Sequence, residues 1–130
     1  MKKMLLSILS MSMLSMSAYG YSQAERIQDM RTMEVAMAEI QKGILYNNTK
    51  MTLQGIVNLK AASSKVEVAP KNSMDYSVVY AKQQAKNIVK FADKIKSEIE
   101  VGHKHGASTN YAKVLNQCVS CHNKIRKWNQ

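Results

Sequence analysis

The stretch VVYAKQQAKNIVKFADKIKSEI, residues 78–99, decides the fold. Val78, Ala81, Ala85, Ile88, Ala92, Ile95 and Ile99 recur at alternating steps of three and four with no step missed. Such steps return to one side of a helix that turns every ~3.6 residues, so the seam predicts a long amphipathic helix packed against other helices. A strand would alternate at period two, and no run in the chain does so.

The same reading extends upstream. Ser22-Gln23-Ala24-Glu25 has the form of a capping box, in which the serine and glutamate each satisfy an amide that a helix start leaves open. Behind it, Met30, Met33, Met37, Ile40 and Ile44 form a second seam, which Tyr46-Asn47-Asn48 ends with turn chemistry. A second helix is expected over residues 49–62, burying Met51, Leu53, Ile56, Val57 and part of Leu59. It fades into Ser63-Ser64-Lys65 and a loop through Pro70, the only proline.

Asn72 or Ser73 is the expected cap of the third helix, and Gly102 with His103-Lys104-His105-Gly106 its end. Ser108 is the expected cap of a fourth, with Tyr111, Val114 or Leu115, Cys118, His122 and Ile125 on its inner face. Four amphipathic helices with short or moderate connections predict an all-α, antiparallel up-down-up-down four-helix bundle.

The N-terminus reads differently. Met1-Lys2-Lys3 is basic, an apolar run follows through Leu14, and Ala18-Tyr19-Gly20 sets small residues at the −3 and −1 positions of a cleavage site. This predicts a cleaved secretory signal peptide over residues 1–20, too short and too serine-rich for a membrane anchor. Residues 21–130 then form one domain, with no other stretch of spanning length, and the expected location is the periplasm.

The chain carries 19 basic and 9 acidic residues, a net charge of +10. Removing Lys2 and Lys3 leaves about +8. That balance suits an acidic protein partner or an anionic membrane surface. Nucleic acid does not suit an exported chain whose lysines are spread along its length. No Ser/His/Asp set, paired carboxylates or glycine-rich phosphate loop is recognisable, so the expectation is a protein that is not an enzyme.

The chemistry concentrates in Cys118-Val119-Ser120-Cys121-His122, which holds both cysteines of the chain. Cys-x-x-Cys-His is the attachment signature of a c-type haem: two thiols near one helical turn apart can form thioethers with one porphyrin edge, and the adjacent imidazole ligates the iron. One covalent haem c is therefore expected, with His122 as proximal iron ligand. Three other uses of the pair are weaker. A redox dithiol usually opens a helix in a βαβ setting, which is absent. A zinc site would need a second ligand pair, for which only His103 and His105 offer themselves, two apart in an exposed loop. A disulfide across so tight a loop would be strained.

In an up-down bundle the first and last helices are antiparallel neighbours, so the N-terminal half of the first helix faces the motif. Met30, Met33 and Met37 lie there, and one thioether can serve as sixth ligand while the others pack on the porphyrin. A bundle of this size with Cys-x-x-Cys-His near its C-terminus resembles the cytochrome c-prime class. In that class the first helix carries an arginine four residues before the distal position, followed by apolar positions three, seven, ten and about fourteen residues beyond it. Arg26 and Met30 fit, with Met33, Met37, Ile40 and Ile44 as the continuation.

The resemblance implies Met30 as distal ligand, with Met33 or Met37 as alternates, and Arg26 as partner of a haem propionate. It departs from the class over Ile40 to Asn48, which match nothing diagnostic, and in a shorter loop around Pro70. Low-spin members of the class use a His/Met pair, and high-spin members leave the distal side open. The first functional expectation is accordingly a periplasmic monohaem electron carrier. The alternative is a five-coordinate protein that binds nitric oxide or carbon monoxide.

Lys124, Arg126 and Lys127 follow the histidine; they suit the negative end of a helix and could also steer an acidic redox protein. Trp128 reads as an end-of-chain staple, and Tyr76, Tyr80 and Tyr111 as half-buried packing residues. Homodimerisation through the first two helices stays open.

Overall fold

The computed structural model describes residues 22–66 and 78–125, and in them four helices follow one another: α1 (Gln23–Leu45), α2 (Thr49–Ser63), α3 (Val78–Glu100) and α4 (Lys104–Ile125). The signal segment, the loop through Pro70 with the Asn72 or Ser73 cap, Tyr76, Arg126, Lys127 and Trp128 lie outside the described residues.

The α1 helix starts at the expected capping box. The Glu25 amide donates to Ser22 Oγ at 3.2 Å, and the Ser22 amide donates to Glu25 Oε2 at 2.6 Å. It stops at Tyr46-Asn47-Asn48, where Asn47 takes φ +56°, a left-handed conformation that asparagine tolerates. Asn48 then caps α2 by accepting the Met51 amide at 3.0 Å. So short a turn forces α2 back along α1. Their backbones approach closely at Gly55, where a Cβ would stand 2.8 Å from Ile40 Cγ1 and 2.9 Å from the Ala36 carbonyl oxygen.

The α3–α4 turn is equally short, three residues between Glu100 and Lys104. Gly102 adopts φ +77°. Its amide donates to the Ile99 carbonyl at 3.1 Å, and the His103 amide donates to the Glu98 carbonyl at 2.8 Å. This paired pattern is a Schellman end. The Ala107 amide donates to the His103 carbonyl at 3.0 Å, so α4 is under way at Lys104. The expected cap at Ser108 is therefore corrected by five residues, to His103: Ser108 is an exposed helical residue, and His105 belongs to the first turn of α4 rather than to a loop.

Packing is most extensive between α1 and α2 and between α3 and α4, intermediate between α2 and α3, and least between α1 and α4. Diagonal pairs do not approach closely at the backbone among the described residues. A closed ring of antiparallel neighbours is an up-down-up-down four-helix bundle. Its axis is filled by Met33, Met37 and Ile40 of α1, Ile56 and Leu59 of α2, Ile88 and Ile95 of α3, and Val114 of α4. Burying each such side chain stabilises the fold by about 1.5–3 kcal/mol.

One core expectation is overturned and one alternative is resolved. Val57 is 61% exposed, because it follows Ile56 by one residue and so turns away from the stripe of Gly55, Ile56, Leu59 and Ala62 that faces inward. Of Val114 and Leu115, Val114 is the inner residue; Leu115 is exposed. Met51 and Leu53 are half-buried. Among the described residues no helix is long and apolar enough to cross a membrane.

Candidate functional site

The last two turns of α4 carry Cys118, Cys121 and His122. Cys118 lies four residues beyond fully buried Val114 and packs half-buried against the core cluster. Cys121, one turn on, is also half-buried, and neither cysteine is in a disulfide. His122 is exposed, which corrects its expected place on the inner face. The reason is angular. At about 100° per residue, Cys121 returns to within about 20° of Val114, whereas His122 falls about 80° to the side.

Burial pushes the Cys118 thiol above its ordinary range, and neighbouring Cys121 adds to the effect. The sign matters, because an oxidoreductase dithiol needs a thiol pushed downward. The Tyr111 hydroxyl is also raised, by burial first and then by Cys118.

Side chains of α3 hold the motif from one side. Tyr80 donates its hydroxyl to the Ser120 carbonyl at 3.3 Å, and the Lys124 ammonium stands 4.4 Å from the centre of the Tyr80 ring. One turn back along α4, the Asn87 amide donates to Gln117 at 3.0 Å. Sequence reasoning gave Tyr80 a packing role and assigned nothing to Asn87 or Gln117. Their part depends on the register of α3 against α4, which no local pattern encodes.

On the other side, two contacts fix the register of α1. Tyr111 donates its hydroxyl to Gln41 Oε1 at 3.2 Å, and Lys104 donates to Asn47 Oδ1. Stepping equally along two antiparallel helices from the Gln41–Tyr111 pair brings Glu34 level with Cys118 and Met30 level with His122. Met30 and Arg26 are half-buried, while Met33 and Met37 are 6% and 8% exposed within the core cluster. The three methionines are thus not equivalent: two are committed to the core, and Met30 sits at its margin.

His103 and His105 stand at the opposite end of α4. His105 is thirteen residues from Cys118, about 20 Å along the helix, so the two pairs cannot share one zinc ion within the chain. His103 Nδ1 instead lies 3.4 Å from Glu98.

In comparisons with known proteins, no family model, curated protein or solved structure matches the chain.

The donor set fits a c-type haem in chemistry. Two thiols one turn apart lie at the edge of an apolar cluster, an imidazole follows directly, and a thioether is level with it on the neighbouring helix. The helix pair that carries these groups is the least tightly packed in the ring.

Proposed function

We propose that the protein is an exported, bundle-type monohaem cytochrome that carries single electrons rather than catalysing a reaction. Cys118 and Cys121 would hold one haem c through thioethers, and His122 and Met30 would supply ligands to its iron. Arg26, one turn before Met30, carries the charge and donor fork that suit a propionate. The haem supplies the one-electron couple when bound; the chain supplies attachment, axial ligands and an apolar wall. The resemblance to the cytochrome c-prime class and the expected secretory leader agree with this reading.

The ligand assignment is supported by the depth of the three methionines: Met30 is half-buried at the margin of the core while Met33 and Met37 lie within it, and counting from the Gln41–Tyr111 contact brings Met30 level with His122. A thioether opposite an imidazole favours the ferrous state and raises the reduction potential. Acidic redox proteins of the periplasm or its membrane are the partners that the basic surface suits.

The test is an optical spectrum of the protein purified from a periplasm competent for haem attachment, oxidised and reduced, with carbon monoxide added to the reduced form. A low-spin spectrum with a sulfur-to-iron band, unmoved by the gas, is expected. Met30→Ala should abolish that band. A high-spin spectrum that shifts with carbon monoxide would overturn the His/Met assignment in favour of a gas-binding protein. A colourless product retaining both thiols would overturn the haem reading itself.

A further inference from the structure

Three ammonium groups converge on one ring. Lys90 and Lys94 of α3 and Lys113 of α4 each place Nζ 5.8–5.9 Å from the centre of half-buried Phe91. Their alkyl stems cover the ring, which accounts for long side chains at these positions. The negative face of the ring also attracts a cation, but one ammonium meets that preference, and glutamine at the other two positions would cover Phe91 without the mutual repulsion of three like charges.

Among the described residues no ion pair joins a carboxylate to any of the three. The α4 helix has no Asp or Glu along its length. The three acids of α3 are engaged elsewhere: Asp93 with Lys60, Glu98 with His103 and Glu100 with Lys96. Lys82 and Lys86 extend the same unanswered charge along α3, whereas α1 interleaves Glu25, Asp29, Glu34 and Glu39 with its basic residues. The charge of the molecule is therefore lopsided, and it gathers on the α3–α4 face.

That face adjoins the motif. Lys113 precedes Cys118 by five residues, about 8 Å along α4, and the Asn87–Gln117 bridge lies between them. We infer that the α3–α4 face centred on Phe91 is the docking surface for an acidic protein, whose clustered carboxylates would meet Lys90, Lys94 and Lys113 around an apolar centre. The identity of this surface rests on charge alone. Its use for electron transfer rests on the function proposed above. Opposed charges of this kind speed encounter and fix orientation, and they weaken steeply with salt.

The experiment titrates the isotopically labelled, full-length-processed protein with poly-L-glutamate at low salt and follows its amide resonances. Shifts centred on residues 86–94 and 110–117 are expected, lost as salt is raised. K90Q/K94Q/K113Q should weaken binding by ~tenfold or more, while K42Q/K50Q/K65Q, which removes as much charge from α1, α2 and the turn after α2, should change it less than ~twofold. Equal losses in both triples would show a net-charge effect and overturn the proposal. So would binding to phosphatidylglycerol vesicles through the same lysines without a response to poly-L-glutamate, which would make the face a membrane-contact surface. The optical spectrum of the same sample reports separately on the haem, so failure of one reading is distinguishable from failure of the other.

Discussion

Glu25 is the residue whose ionisation the fold uses most visibly. The Ser22 amide and then the Ser22 hydroxyl hold its carboxyl below the ordinary value of 4.5. A depressed folded-state value means that the capping contribution is present above the unfolded value and is lost as pH falls through the folded one. Protection of the amides in the first turn of α1, taken relative to their intrinsic exchange at each pH, should therefore fall as pH drops below the ordinary value of 4.5, and E25A should remove most of that loss. A protection factor that falls equally in the variant would sink this assignment. Cys118, Cys121 and His122 stand out at the same scale by their spacing alone. Spacing does not separate Met30, Met33 and Met37. Each occupies the same seam, and only their depth in the bundle separates them.

At the scale of elements, Gly55 decides how closely α1 and α2 approach. Gly55→Ala gains about 1 kcal/mol of helix propensity. The added Cβ, however, would meet the Ala36 carbonyl oxygen at 2.9 Å and the Ile40 amide nitrogen at 3.0 Å, and backbone atoms cannot swing aside. Overpacking of this kind costs about 1–3 kcal/mol, so the variant should be less stable in urea; an unchanged or raised midpoint would show that the pair can separate without loss. Helix number, type and most seams were legible because seven apolar residues of α3 and five of α1 keep helical spacing throughout. The start of α4 was not. Serine is a favoured cap, and Ser108 precedes the first aromatic of the helix, yet the Schellman turn at Gly102 reverses the chain at once and brings bare Gly106 against Glu98. That contact is tertiary, and the local pattern carries no trace of it. Val57 misled for a related reason, being apolar but one residue out of phase with the inward stripe of α2.

In the whole molecule, the ring of helices is closed unevenly. The α1–α2 and α3–α4 hairpins pack tightly, α2 and α3 join them, and the α1–α4 seam is the weakest. The Tyr111–Gln41 and Lys104–Asn47 contacts tie that seam at the end of the bundle away from the motif. At the motif end, half-buried Met30 and Cys118 mark the edge of the core. A group attached to Cys118 and Cys121 and ligated by Met30 would therefore bridge the two helices where they hold each other least. Local opening is governed by buried contacts of this kind, so its effect should be regional rather than global. Hydrogen exchange of the haem-loaded protein, compared with C118S/C121S, should show added protection over residues 26–37 of α1 and 114–125 of α4, with α2 and the middle of α3 changed far less. Met30→Ala in the loaded protein should return the α1 segment towards the unloaded rate while leaving α4 protected through its thioethers. Protection that rises uniformly, or in α3 and α4 alone, would place the haem outside the α1–α4 seam and remove Met30 from the iron.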